Sequence, residues 1–314
     1  MKPRDIIAAY FFVQGLAVVA WWLMLFAVRE SVVWFQPREW PSDALLSFWL
    51  ADLGLIGLGS VIIAVGVWKE LDWAFTAVRC LAAICWYPAL FCLASSLKAD
   101  QAWIATALMV SMAGLSTAMA TIQGKTGDDP RAFRVARMSG LNLLLATLLQ
   151  IIVFWGTFLW ILPMGIIELE QYLQWERLNH AFQTPLASVL LLLASCLGLW
   201  SGFTMVSLGQ GTPLPTAAAQ RLVVKGPYRF VRNPMALAGI LQGIAVGWLL
   251  GSSAVIAYAF VGIFAWHFLV RPLEEKDLLK RFGEDYQRYR NRVRVWIPTI
   301  HSPVGDENER MSLR

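Results

Sequence analysis

Charge is what this chain has least of. Of its 314 residues only 15% are Asp, Glu, Lys or Arg, against about a quarter in soluble domains. Set beside 58% hydrophobic residues, that scarcity excludes an ordinary soluble domain and indicates an integral membrane protein. Cysteine is sparse too. Cys80, Cys85, Cys92 and Cys196 lie within apolar segments, without Cys-x-x-Cys spacing and with no histidine ladder nearby. They read as small buried hydrophobes, and neither a disulfide nor a bound metal is expected. A secretory cleavage site is lacking as well. The apolar run 6–28 is too long for a signal-peptide core and reads as the first membrane helix. No internal repeat or low-complexity tract is present.

What is there in abundance is long apolar sequence. Spanning the hydrocarbon core takes roughly 20 mostly apolar residues. Runs that approach this cover 6–28, 45–68, 74–97, 102–122, 141–167, 186–208, 235–250 and 254–270. The last two are short and separated only by Gly251-Ser-Ser253, which predicts a tight helical hairpin. Eight spans put both termini on one side. That side then holds 22 of the 26 Lys and Arg residues, leaving Arg29, Arg38, Lys98 and Arg177 opposite. Basic residues favour the cytoplasmic face, so both termini are expected there. The fold class is therefore all-α: a polytopic membrane helix bundle of about eight transmembrane helices with a cytoplasmic C-terminal amphipathic segment. Of the outer connections, 168–184 carries Glu168, Glu170, Glu176 and His180 and reads as a short surface helix. The net charge of +5 reports topology here, and no nucleic-acid partner is expected.

The segments that could carry chemistry gather near the C-terminus, on the side assigned to the cytoplasm. Asn233-Pro234 precedes an apolar run, and Asn at the cap with Pro in the first turn is a helix start. Its free N–H groups favour an anion. Arg229 and Arg232, just upstream, either grip the same anion or anchor the loop at the membrane. Gly226-Pro227-Tyr228 turns that loop back. His267 and Arg271 are four apart and share a face of the last span. Glu274 and Glu275 follow Pro272 at an expected helix start, where the dipole favours carboxylates. Adjacent helical positions point about 100° apart, so one of the two can face a pocket while the other is solvated. Leu278, Leu279, Phe282, Tyr286, Tyr289 and Val293 recur every three or four residues among Lys276, Lys280, Arg281, Arg288, Arg290 and Arg292. Such a helix lies on a membrane surface, and Gly283 is expected to break it. Gly209-x-Gly211 ends the sixth span. Within spans, Asp52, Asn142 and Gln150 each need an internal partner; they read as helix–helix contacts, with substrate binding as the other use of Asn142, Gln150 and His267.

Taken in order, Gly209-x-Gly211, Gly226-Pro-Tyr-Arg229, Arg232-Asn-Pro234, Glu274-Glu275, Phe282-Gly-x-x-Tyr286-x-x-Tyr289 and Ile297-Pro298 resemble the C-terminal region of the isoprenylcysteine carboxyl methyltransferase and phospholipid methyltransferase families. The resemblance covers less than a third of the chain. It implies an integral membrane enzyme that uses S-adenosyl-L-methionine to methylate a lipophilic small-molecule or lipid acceptor. It implies cofactor contacts at Gly209, Gly211, Glu274 and Glu275, and extends them to Tyr228, Arg229, Arg232, Asn233, Pro234, Tyr286 and Tyr289. Arg271 and Glu274 become candidates for acting at the reacting groups. Asn233 stands where the isoprenylcysteine enzymes have His, and Ala236 where many relatives have Tyr. Residues 185–300 would then form the methyltransferase-like region, 1–184 an N-terminal region of five spans facing the substrate, and 301–314 a disordered tail.

Two other classes fit the composition. A membrane reductase of the sterol-reductase type, using NADPH, has a similar C-terminal region, although Glu-Glu followed by Phe-Gly-x-x-Tyr-x-x-Tyr looks more like the methyltransferases. A transporter or scaffold would leave these motifs indifferent to any cofactor, and the spans carry too little charge for an ion pathway.

Overall fold

The structure is a computed structural model and describes residues 3–123, 140–212 and 219–299; the expected tail 301–314 lies outside the described residues. Every regular element among them is helical. Among the described residues seven helices are long and apolar enough to cross a membrane. The first five are α1 (Pro3–Ala27), α2 (Leu45–Trp68), α3 (Ala74–Ala99), α4 (Trp103–Gln123) and α5 (Gly140–Tyr172). Next comes α6 (Gln183–Gly209), then the shorter α7 (Pro234–Leu249). The seventh long helix comprises α8 (Ser253–Ala265), a π-turn at Trp266–Val270 and α9 (Arg271–Arg292). The expected eighth span is α7. Its 16 residues make about 24 Å at 1.5 Å per residue, short of a hydrocarbon core of about 30 Å.

Three expectations are corrected. The connection after Glu168 is not a surface helix, because α5 runs on to Tyr172. Glu168 instead accepts the backbone N–H groups of Ala102 and Ile104, at 2.7 and 2.8 Å. It thereby pairs donors that the first turn of α4 cannot pair itself. Nor does a helix end before Pro272. Pro272 offers no N–H to the preceding turn, and the wider π-turn just before it carries the chain through without a break. Third, of the cysteines Cys85 is buried but Cys80 and Cys196 lie exposed on their helices, as small apolar residues facing lipid can.

The chain divides into two compact units within α5. One comprises Met1–Pro130 and Trp160–Glu176, the other Arg131–Leu159 and Arg177–Arg314. In the first, α1 to α4 bury Ile7, Phe11, Ile63, Val78, Leu81 and Ala113. Threaded through that core is a polar chain. Gln14 donates to Ser60 at 3.1 Å and accepts from Ser116 at 2.9 Å, and Tyr10 pairs with Ser116 at 3.1 Å. Trp86 donates to Thr117 at 2.9 Å. Polar groups in lipid must find partners within the bundle, and these bonds set helix register.

In the second unit, α7 leans on α6 through Gln242, which donates to Ser195 at 2.9 Å. The hairpin from α7 to α8 is the expected one. Gly251 sits at φ +67° and Ser252 caps α8 by accepting from Val255 N–H at 2.9 Å.

Candidate functional site

The site is built around the start of α7. Asn233 Oδ1 accepts the Ala236 N–H at 3.0 Å, which caps the helix, and its Nδ2 donates to Glu274 Oε2 at 3.3 Å. One side chain thus fixes the helix start and holds a carboxylate. Just upstream, Gly226–Arg229 forms a 3-10 turn that buries Tyr228. The strand-like segment after α9 pins this loop from outside: Arg232 N–H donates to the Arg294 carbonyl and Thr299 N–H to that of Phe230, both at 2.9 Å.

The two glutamates part as adjacent helical residues must. Glu275 takes Arg232 Nη1 at 2.9 Å and faces Arg271 Nε at 3.7 Å and Arg290 Nε at 3.9 Å. Glu274 points away from that cluster and lines a cavity of about 380 Å³. Arg232 lines it as well. With Nη1 engaged by Glu275, its buried Nε finds no hydrogen-bond acceptor among the described residues.

Tyr228 also lines the cavity and is 5% exposed. Its hydroxyl has no hydrogen-bond partner among the described residues. Burial, and then the nearby Glu274 carboxylate, hold this phenol well above its ordinary pKa, so it stays a neutral O–H donor. Leaving such a group unpaired costs about 1–3 kcal/mol. A ligand atom that accepts from it recovers that cost.

Gly283, at φ +50°, interrupts α9 as expected. The turn folds the second half of the helix back, and Tyr289 donates to the Tyr228 carbonyl at 2.7 Å. Tyr289 lines the cavity; Tyr286 is buried behind it, with ring centroids 6.3 Å apart. Arg281 reverses its expectation. One of the basic residues between the apolar positions of a helix expected on a membrane surface, it turns inward: its Nε meets Asp277 Oδ2 at 2.6 Å and its Nη1 the Ala219 carbonyl at 2.5 Å. Asp277 and Arg281 both line the cavity. Sequence reasoning missed them, although their i, i+4 spacing was visible, because a charged pair on a basic amphipathic helix looks like its solvated face.

The remaining candidates fall into two groups. Gln150 lines the cavity and donates to Thr212 Oγ1 at 3.2 Å. Pro234 is buried in the first turn of α7. Gly209 is a packing position: its carbonyl accepts from Gln220 and Arg221 N–H at 2.7 and 3.2 Å, and a Cβ there would lie 2.7 Å from Val223 Cγ2. Gly211 is buried next to Thr212. Other candidates are not brought to the cavity wall. Arg229 covers the Phe230 ring at 4.5 Å, and Asn142 is exposed. Arg271 faces Glu275, and His267 Nδ1 accepts the Trp296 indole N–H at 3.1 Å. Phe154, Trp155, Met235, Gly239 and Trp266 supply an apolar and aromatic part of the wall.

Comparison with known proteins bears on the same stretch. Residues 183–285 match the phospholipid methyltransferase family. A segment of 76 residues is 38% identical to methanethiol S-methyltransferase 1 of Bradyrhizobium diazoefficiens, covering 23% of this chain and 24% of that protein. The chain thus spans about a quarter of the length of the curated relative it matches. No solved structure matches.

Proposed function

We propose that this membrane protein, whose residues 183–285 are of the phospholipid methyltransferase type, transfers a methyl group from S-adenosyl-L-methionine to a lipophilic or membrane-associated acceptor. The observation that carries the reading is that the Tyr228 and Arg232 side chains, each with a buried donor that has no partner among the described residues, line one cavity with Glu274. Two unpaired donors and the Glu274 carboxylate suit a zwitterion, the Asp277 carboxylate of the same cavity being paired with Arg281. The amino-acid end of the methyl donor is one, with a carboxylate for Arg232 and Tyr228 and an ammonium for Glu274.

The residues present fit the group on that test. When bound, it supplies a sulfonium methyl that passes to a nucleophile, leaving a neutral thioether. The chain's own part is to bind and align. Glu275, anchored by Arg232, Arg271 and Arg290, holds the cavity wall in place. Arg271 is thus a positioning residue. Tyr289 closes the wall over Tyr228. The face formed by Gln150, Phe154, Trp155 and Gly239 carries no charge, which suits an uncharged apolar acceptor. In this division of labour residues 185–300 supply the donor side, while 1–184 contribute the acceptor face through Gln150, Phe154 and Trp155.

Supplying methyl-labelled S-adenosyl-L-methionine to membranes that contain the protein should label an extractable small molecule or lipid. Label in the organic lipid fraction identifies a lipid acceptor, whereas label in a volatile thioether identifies a small thiol, the acceptor named for the bacterial relative. Absence of both label and donor binding would overturn the reading. Tyr228→Phe provides the sharper test. The hydroxyl has no protein partner, so thermal stability should hold or rise, while donor affinity falls roughly tenfold for one lost hydrogen bond. Unchanged donor affinity in Tyr228→Phe, and in Glu274→Gln, would remove this cavity from the proposal.

Cytoplasmic placement of the site is part of the same proposal. It rests on the distribution of basic residues, 22 of 26 on the side of the motifs. A cysteine placed in the Lys225–Arg229 turn should be labelled by an impermeant maleimide only after the membrane is opened. Labelling of intact cells would reverse the orientation.

A further inference from the structure

The first unit contains a cavity of its own, about 340 Å³. Six aromatic residues line it: Trp21, Phe35, Trp40, Phe48, Tyr87 and Phe91. Their rings brace one another. Trp21 meets Phe35 edge-on at 5.6 Å, and Phe91 meets Trp40 at 5.7 Å and Phe48 at 5.8 Å. Within this aromatic wall stands one carboxylate, Asp52. It is also the first residue of a π-turn, Asp52–Leu58, inside α2, and such turns inside α-helices recur at functional positions. Pro88 lies inside α3 and offers no N–H to the Ile84 carbonyl one turn back; both residues line the cavity. The loop over its mouth is held by buried Gln36, which donates to the Pro41 carbonyl at 3.1 Å and accepts the Leu45 N–H at 3.0 Å. The site is therefore preformed.

A carboxylate within a span is costly unless something compensates it. Asp52 forms no ion pair with a described Lys, Arg or His; the indole of Trp22 is the polar group beside it. The wall chemistry restricts what the compensating ligand can be. A metal ion needs several oxygen ligands, and the cavity offers one carboxylate, the Ser95 hydroxyl and at most the Ile84 carbonyl. A primary ammonium or guanidinium carries three to five N–H donors that these walls would strand. A cation without N–H groups, its charge spread over methyls, needs only aromatic faces and one counter-charge.

We infer that this cavity, through Asp52 and the aromatic walls around it, binds a methylated onium group, a quaternary ammonium or a sulfonium. The group arrives either as a free small cation or as the head of a lipid. The inference does not rest on the methyl-transfer reading, because it uses no residue of the second unit.

Full-length protein, purified in maltoside with phosphatidylglycerol as the only added lipid, is dialysed against radiolabelled tetramethylammonium. Saturable binding is expected, displaced by choline but not by 3,3-dimethylbutan-1-ol, the uncharged isostere of choline. Asp52→Asn keeps the shape of the side chain and should weaken binding at least about tenfold, and Trp40→Leu roughly three- to thirtyfold. Displacement by dihexanoylphosphatidylcholine at lower concentration than by choline identifies the lipid-borne source, and the reverse order the free cation. Displacement by the neutral isostere as good as that by choline would overturn the inference, as a purely apolar pocket filled by a lipid tail. So would full binding by a folded Asp52→Asn protein, or no saturable binding by the unaltered one.

Discussion

Arg232→Ala should cost methyl transfer roughly 100-fold or more in kcat/KM and lower the stability of the solubilised protein by about 2–3 kcal/mol. The two losses have separate origins. Stability falls because Glu275 loses its 2.9 Å partner in a setting where both side chains are only 15% exposed. Removing one member of a buried pair costs about 3–5 kcal/mol. The remaining exposure and the more distant Arg271 and Arg290 bring the figure down. Activity falls because the unengaged Nε is one of the two donors assigned to the methyl donor's carboxylate. Arg232→Lys separates them, since its ammonium can hold Glu275 but supplies no second donor in a fixed fork. Stability should recover in that variant while donor binding stays impaired. Thermal unfolding and label transfer, measured on both variants, check it. Arg232→Ala with normal label transfer would refute the site, whatever its stability.

Gly251→Val is expected to be among the most damaging single changes outside the cavity, costing about 3 kcal/mol or more. At φ +67° a residue with a branched Cβ pays about 1–2 kcal/mol for the left-handed conformation alone. In addition its Cβ would lie 2.5 Å from the Leu178 carbonyl oxygen, which is backbone and cannot swing away. The same contact carries a bond worth keeping, Leu178 N–H to the Gly251 carbonyl at 2.8 Å, beside Gln183 Nε2 to the Trp248 carbonyl at 2.7 Å. Pushing the connection away therefore strips two bonds from the end of the α7–α8 hairpin. Gly262→Ala is the matched control: nothing lies within 4 Å of its Cβ position, so stability should hold or improve slightly. A thermal melt of both variants in one detergent decides between the local argument and general glycine intolerance.

Much of the site was legible because its parts are short-range. Asn233 and Pro234 announce a helix start from two residues, and the cap forms as read. Gly283 announces a break, and its backbone is left-handed there. Arg232, Glu274 and Tyr289 could be singled out because they fall in short motifs whose order and spacing resemble the methyltransferase families. Which glutamate faces the cavity could not be read. Spacing says only that Glu274 and Glu275 diverge; the direction follows from where Arg232, Arg271 and Arg290 gather. Asp277 and Arg281 were invisible for the opposite reason. On a helix with seven basic side chains nothing local distinguishes the one that turns inward to the Ala219 carbonyl.

Composition and apolar run length by themselves determined that this protein lies in a membrane and is helical, since in hydrocarbon the backbone must satisfy its own hydrogen bonds. Local capping chemistry located the start of α7 as well. Only the tertiary structure decided that α5 runs on to Tyr172, that α8 passes unbroken into α9 past Pro272, and that Tyr228 and Arg232, each with a donor unpaired among the described residues, line one cavity. Those outcomes depend on atoms far apart in the chain. Glu168 finds α4 some 64 residues away, and Arg232 finds Glu275 at 43, and no periodicity within a single helix encodes a meeting at that range.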